Sequence, residues 1–84
     1  RPYAMATAGE ILEMRFDTKK AVFTLRYRPD HAITAPTEIY IPEVQYPKGF
    51  GYEVQGGEGE VKRGRLLVTA SLGAKEVLVR ISRG

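Results

Sequence analysis

The sequence predicts an all-β fold, an antiparallel β-sandwich of about seven short strands in an immunoglobulin-like or Greek-key arrangement. Three observations predict it. Apolar and polar residues alternate over short runs, turn signals recur roughly every ten residues, and no stretch keeps a helical period over three turns. The chain of 84 residues is the size of one domain.

The first two predicted strands form a hairpin. Residues 11–16 alternate, so Leu12, Met14 and Phe16 are expected on the buried face, and residues 21–27 alternate in the same way. The polar residues 17–20 join them as a turn.

Five further strands follow the hairpin along the chain. They are expected at residues 37–41, 50–54, 60–62, 65–70 and 76–82. Residues 55–59 contain three glycines, which predicts a flexible turn there. In residues 50–54, Tyr52 has the same parity as Phe50 and Val54, so all three are expected in the core.

Composition excludes several classes of protein. The net charge is +3, from 13 basic and 10 acidic residues that are interleaved along the chain. The densest basic run, residues 62–65, is centred on a glycine and predicts a solvated hairpin turn, so nucleic acid is not expected as a partner. The chain has no cysteine and no apolar run that approaches the roughly 20 residues of a membrane-spanning helix.

No catalytic set of residues is evident. Glycoside hydrolysis needs two carboxylates that face each other across the scissile bond. Glu10 and Glu13 differ by an odd number and are expected on opposite faces of a strand, whereas Glu58 and Glu60 flank a glycine in a predicted turn. These carboxylates are therefore interpreted as solvated surface groups, and no catalytic residue is predicted.

No cofactor or metal is predicted either. His31 is the only histidine, and with no cysteine beside it a zinc site is not indicated. Carboxylates and carbonyls leave a calcium site open, although no aspartate-rich loop points to one. The glycines at residues 56–59 lack the lysine, the hydroxyl and the helix start of a phosphate-binding loop.

Tyrosines are the open question of this sequence. Tyr40 lies between Ile39 and Ile41 and is expected to face outwards or into an interface, while Tyr46 lies in a loop beside Pro47. Sugars stack on flat aromatic rings, but tryptophan, the usual platform, is absent. Packing is favoured over sugar binding, and both remain hypotheses.

Several motifs, in their order and spacing, resemble the C-terminal β-sandwich domain of glycoside hydrolase family 5 enzymes of the endoglycoceramidase type. They are listed along the chain as RPY at 1–3 with AG at 8–9, FD at 16–17, FTLRY at 23–27, TEIYIP at 37–42, YP at 46–47 and GF at 49–50. The likeness spans nearly the whole chain. It departs at Ala4, where many such domains have a further proline after the RPY motif.

The resemblance implies a non-catalytic accessory domain. Residues 1–9 would be a linker from a preceding catalytic domain, and residues 10–84 would form the sandwich that packs against the catalytic barrel of the same polypeptide and shapes its substrate cleft. The family's two catalytic glutamates belong to that barrel, so none is carried onto this sequence. Parents of this type act on glycolipids or related β-glycosides.

Four aromatic residues are the candidates for contact with the barrel or with carbohydrate: Tyr3, Tyr40, Tyr46 and Phe50. Two alternatives stay open, an autonomous carbohydrate-binding module and a generic protein-interaction sandwich. The opening residues Arg1 and Pro2 suggest a piece of a longer polypeptide. A secreted parent is expected, although the residues themselves leave the compartment open.

Overall fold

The computed structural model describes all 84 residues and confirms the all-β sandwich. The strands are β1 (Tyr3–Ala6), β2 (Gly9–Asp17), β3 (Val22–Pro29), β4 (Thr37–Tyr40), β5 (Phe50–Gln55), β6 (Gly57–Lys62), β7 (Arg65–Ala70) and β8 (Val77–Arg83). A single 3-10 turn, Glu43–Gln45, interrupts the connection between β4 and β5.

The strands form two four-stranded sheets that pack face to face. The first sheet has the order β1-β4-β7-β6 and the second has the order β2-β3-β8-β5. All pairings are antiparallel, and the pairing of β3 with β8 and of β4 with β7 joins strands far apart in the chain, as in Greek-key connections. Since β5 contacts β6 across the sandwich, β1 and β2 share the opposite side. These are called the β5–β6 side and the β1–β2 side below.

Alternation along the central strands builds the core. On β3, the inward residues Phe23, Leu25 and Tyr27 are buried, and each lies opposite a buried residue of β8. Twelve apolar residues form one cluster: Ala21, Phe23, Leu25, Tyr27, Ile39, Ile41, Tyr46, Leu66, Val68, Val77, Val79 and Ile81. Burial of this cluster is the main stabilising contribution, and the chain has no disulfide to add to it.

The structure has one strand more than the sequence predicted. Tyr3–Ala6 pairs antiparallel with β4, and the preceding Pro2 is buried. This strand lies inside the segment expected to be a linker, residues 1–9, and its small residues Ala4 and Ala6 give no alternating signal. That residues 1–9 lead from a catalytic domain stays a prediction.

The expected flexible turn at residues 55–59 is wrong, because Gly57–Lys62 is a strand. A Cβ atom on Gly57 would lie 2.5 Å from the carbonyl oxygen of Thr69, and one on Gly59 would lie 2.8 Å from the ring of Tyr52. These glycines therefore permit a close approach between strands. Only Gly56, with φ of +82°, makes the turn.

The buried face predicted for β2 is confirmed at Phe16, which packs against the core, and is wrong nearer the start of the strand. A bulge lies between Ile11 and Glu13, so Ile11 and Met14 stand opposite the buried Tyr27 and Leu25 and share their inner face. Both nevertheless remain exposed. Their strand is the edge of the second sheet, so no further strand lies beside them to cover these side chains.

Tyr52 lies on the predicted face of β5, opposite the buried Ile81, but it is exposed and not in the core. Its strand is the edge of the second sheet, so no further strand covers the ring. The Tyr52 hydroxyl donates a hydrogen bond to the carbonyl oxygen of Gly59, with an O–O distance of 3.2 Å. Tyr52 thus bridges the two edge strands of the β5–β6 side.

Gly56→Ala is expected to lower the free energy of unfolding by about 1–3 kcal/mol, because a side chain is strained at positive φ. The new Cβ would also lie 2.3 Å from the carbonyl oxygen of Glu76. Chemical denaturation measures the loss. The control is Gly51→Ala, whose Cβ would meet no atom within 4 Å and should change stability by less than about 0.5 kcal/mol. Equal effects of the two variants would contradict the expectation.

Candidate functional site

Tyr3 and Tyr40 form an exposed aromatic pair on the outer face of the first sheet. They stand opposite each other on β1 and β4, with ring centroids 5.4 Å apart and ring planes tilted by 50°. Ile39 and Ile41, on either side of Tyr40, are buried. The outward position predicted for Tyr40 is therefore confirmed, and the strand that carries Tyr3 was absent from the prediction.

Tyr46 and Phe50 belong to the interior instead. Tyr46 is only 4% exposed, and its hydroxyl donates a hydrogen bond of 2.7 Å to the carbonyl oxygen of Ala21. Phe50 is half-buried, with its ring centroid 6.0 Å from that of Tyr46. Ala21 lies at the end of the β2–β3 turn and has a φ of +55°, which is a strained backbone conformation for alanine. The hydrogen bond from Tyr46 stabilises the backbone at this residue. In this structure, the ring of Tyr46 is not available to a neighbour or a sugar.

The β1–β2 side exposes three apolar side chains that sequence reasoning did not single out. Met5 lies at a bulge in β1, and Ile11 and Met14 lie on the uncovered inner face of β2. Methionine is flexible and polarizable, which suits it to an adaptable contact surface. With Tyr3 and Tyr40 these residues make up what is called here the apolar side. Ile11 and Met14 are exposed because β2 is an edge strand, a position that alternation does not reveal.

The outer face of the second sheet has the opposite character. Glu13 lies 2.8 Å from Arg15 and 3.5 Å from Arg26, and Arg26 lies 2.9 Å from Glu76. The hydrogen bond from Arg26 to Glu76 is the main cause that raises the pKa of this guanidinium, and Glu13 adds to it. Charges that satisfy one another in solvent are typical of a face that stays wet.

The glutamates that lie close together in the sequence do not form a pair of facing carboxylates. Glu10 binds Arg28, and Glu60 lies 3.7 Å from Lys62. Glu58 and Glu60 lie two residues apart on β6, on the outer face of the first sheet. No group of three or more histidine, cysteine, aspartate or glutamate residues lies together as a metal site.

The remaining polar motifs have structural explanations. His31 Nε2 lies 2.9 Å from the carbonyl oxygen of Ala74 and ties two loops together. Arg63 and Gly64 have φ of +50° and +76°, which makes the basic run a tight hairpin turn, as the sequence predicted. The structure contains no helix that is long and apolar enough to cross a membrane.

Tyr46→Phe is expected to lower the free energy of unfolding by about 1–2 kcal/mol, since it removes a buried hydrogen bond. The matched control is Tyr40→Phe, because the Tyr40 ring is exposed and should tolerate the loss of its hydroxyl within about 0.5 kcal/mol. Urea denaturation of both variants measures the difference. A Tyr46→Phe protein as stable as the control would show that the hydrogen bond to Ala21 contributes nothing.

Stability is expected to fall at alkaline pH. Burial raises the pKa of Tyr27 and of Tyr46 above the usual value of 10.0; a side-chain hydrogen bond with Thr37 opposes the shift at Tyr27, and the charge of Arg83 opposes it at Tyr46. Well below pH 10.0 both tyrosines are protonated in the folded and unfolded chains, so neither affects the pH dependence. At higher pH the unfolded chain loses these protons first, and the free energy of unfolding decreases. Denaturation of the double variant Tyr27→Phe, Tyr46→Phe should show a shallower decrease, and an unchanged slope would contradict the assignment.

The family model and the related proteins that match this chain point to the same family. Residues 1–81 match the Glycoside hydrolase family 5 C-terminal domain. The chain is 39% identical over 84 residues to Endoglycoceramidase I of Rhodococcus hoagii (strain 103S), with 99% of the chain and 17% of that protein covered.

Solved structures agree. Endo-glycoceramidase II from Rhodococcus sp. matches with 32% identity and a TM-score of 0.77, over 99% of this chain and 19% of that one. The fold alone is shared with Cryptococcus neoformans sterylglucosidase 1, at 24% identity and a TM-score of 0.85, over 100% of this chain and 14% of that one. The chain spans less than a fifth of the length of these relatives. From its fold and the match over residues 1–81, the chain belongs to the C-terminal domains of glycoside hydrolase family 5, as its motifs predicted, and is a non-catalytic accessory domain of that family.

Proposed function

We propose that this domain packs against the catalytic domain of a family 5 glycoside hydrolase through its apolar side, Tyr3, Met5, Ile11, Met14 and Tyr40. One observation carries the proposal. β2 is an edge strand, and its core-facing apolar side chains Ile11 and Met14 are left without a cover. Such a surface favours burial against another protein surface.

The position of the apolar side in the chain supports this partner. β1 begins two residues after Arg1, so a polypeptide that precedes Arg1 would pass next to Tyr3 of the apolar side. The relatives are more than five times as long as the part that matches this chain, which leaves room for such a domain.

The geometry of the tyrosine pair favours packing over sugar binding. A sugar ring stacks on a flat aromatic face, whereas the rings of Tyr3 and Tyr40 are tilted by 50° and present no common plane. Tyrosine rings with exposed hydroxyls are, however, well suited to protein interfaces, because one end is apolar and the other forms hydrogen bonds. Carbohydrate or glycolipid would then be contacted by the partner domain.

We further propose that the whole polypeptide hydrolyses glycosidic bonds, with a substrate of the glycolipid type. The relatives named endoglycoceramidase support this proposal. The present chain contributes no reacting group to that chemistry. Its contribution is to hold the catalytic domain and one flank of the substrate cleft in place. A cleft held in this way keeps the substrate in the orientation that the reaction needs.

Ile11→Thr is expected to weaken docking in the full-length protein, because a polar group would be placed in the buried contact. Thermal unfolding of the full-length protein should change from one joint transition to two separate transitions. Hydrogen exchange of the β2 amides should also become faster.

Val61→Thr is the matched control. Ile11 and Val61 are both β-branched, both stand on the inner face of an edge strand, and are 44% and 45% exposed. They lie on opposite sides of the sandwich, so a loss of docking with Val61→Thr, or none with Ile11→Thr, would contradict the proposed surface. A separate NMR titration with soluble glycans would detect sugar binding as shifts of the Tyr3 and Tyr40 resonances. The packing proposal expects no such shifts.

A further inference from the structure

Exposed cations gather at one end of the sandwich, where β3, β5 and β7 begin and β8 ends. This end is made of the β2–β3 turn, the β4–β5 connection, the β6–β7 turn and the end of β8, and it is called here the basic end. Five exposed cations on these segments take part in no ion pair: Lys19, Lys20, Lys48, Arg63 and Arg83.

Hydrogen bonds hold the segments of the basic end together. The Ile41 amide donates a hydrogen bond of 2.9 Å to the carbonyl oxygen of Gly64, which joins the β4–β5 connection to the β6–β7 turn. The Tyr46 hydroxyl joins the same connection to the end of the β2–β3 turn. The Arg83 guanidinium lies 3.5 Å from the carbonyl oxygen of Lys19. The cations therefore belong to one continuous surface.

The basic end accounts for the whole positive excess of the domain. Asp17 and Glu43 are the carboxylates on its segments, so its five cations exceed its acidic groups by three. The chain has 13 basic and 10 acidic residues, so the remaining eight basic and eight acidic residues cancel. Elsewhere the charges also pair locally, as Arg26 does on the outer face of the second sheet. Unpaired charge of one sign on one surface favours an anionic partner.

An apolar side chain projects from the middle of this charge. Val44 is 86% exposed and lies in the 3-10 turn Glu43–Gln45. Pro42, directly before that turn, is buried, and its ring fixes its φ. A single exposed apolar residue is ordinary by itself. Together with the surrounding cations, however, it gives the combination that binds lipid surfaces, in which electrostatic attraction to anionic lipids is added to burial of apolar area.

The other anionic partners fit the basic end less well. Single-stranded nucleic acid is bound by stacking its bases on exposed aromatic rings, but Tyr46 is buried and Phe50 is half-buried. Protein interfaces have a core that is poor in charge and rich in aromatic residues, whereas the basic end has flexible cations on separate turns. A lipid surface requires no fixed register between its charges and these cations.

We propose that the basic end binds the surface of a membrane that contains anionic lipids, with its five cations among the headgroups and Val44 at the boundary with the acyl chains. Each lysine or arginine near such a surface strengthens binding about fivefold. The basic end shares no residue with the apolar side, so this inference does not rest on the docking proposal or on the proposed substrate.

The test is sedimentation of the full-length polypeptide with vesicles of phosphatidylserine mixed with phosphatidylcholine, and with vesicles of phosphatidylcholine alone. Binding is expected to the mixed vesicles and should be about tenfold or more weaker to the neutral ones. Lys48→Glu should weaken binding to the mixed vesicles about five- to thirtyfold, because one cation is lost and one anion is gained.

Lys75→Glu is the matched control. Lys75 is also an exposed loop lysine outside any ion pair, and its replacement changes the net charge equally, but it lies in the β7–β8 turn at the opposite end. The six residues of β7 separate the two ends by about 17 Å, which exceeds the screening length of about 8 Å at physiological salt. The control should change the affinity less than about twofold.

A second pair of variants tests the apolar contact. Val44→Ser should weaken binding to the mixed vesicles about three- to tenfold, since it removes the buried methyl groups. Leu72→Ser should have no effect, because Leu72 is 99% exposed at the opposite end. Both positions are exposed, so neither change should disturb folding.

Four results would overturn the inference. They are equal binding to neutral and mixed vesicles, equal losses for Lys48→Glu and Lys75→Glu, unchanged binding of Val44→Ser, and binding to duplex DNA as tight as to the mixed vesicles. Equal losses for the two lysine variants would show that net charge alone attracts the protein to anionic lipids. Tight binding to DNA would assign the basic end to nucleic acid instead.

Discussion

The antiparallel pairing of β3 with β8 is the interaction on which the rest of this domain depends. It places Phe23, Leu25 and Tyr27 opposite Ile81, Val79 and Val77, and all six side chains are buried. β2 and β5 then attach to the outer edges of this pair and complete the second sheet. In a chain without cysteine, no covalent bond can substitute for this burial. Changes to the inner face of β3 or β8 should therefore affect the whole sandwich, whereas changes to the edge strands act locally.

The two sides of the sandwich where edge strands meet differ in their exposed residues, and the docking proposal depends on that difference. One side is bridged by Tyr52, which reaches from β5 to Gly59 of β6. On the other side, Ile11 and Met14 of the edge strand β2 and Met5 of β1 stay exposed. Under the docking proposal, the apolar side is the one that a neighbouring domain covers, whereas a face of solvated polar groups stays in water. The ion pairs around Arg26 supply that kind of surface on the outer face of the second sheet.

Alternation in the sequence was sufficient to predict the sandwich, because the central strands bury one face along their whole length. It failed where burial depends on a partner strand. Met14 and Tyr52 have the periodicity of core residues, but they stand on edge strands and stay exposed. Conversely, Tyr46 lies in an irregular loop with no periodicity, and its ring is buried because the loop folds over the Ala21 carbonyl. Gly57 and Gly59 were interpreted as a flexible turn, since the sequence does not distinguish close approach from flexibility.

The place of β8 in the sheet has a consequence for how the domain is made. β8 is the last strand of the chain, yet it lies between β3 and β5 in the interior of its sheet. During synthesis, β3 and β5 leave the ribosome with unpaired edges and must wait for the final strand before the sheet can close. Sheets built from pairings distant in sequence fold slowly, and domains nearer the N-terminus generally fold first. A preceding domain would thus be complete before this sandwich forms, and it would provide a folded surface onto which the late domain can assemble.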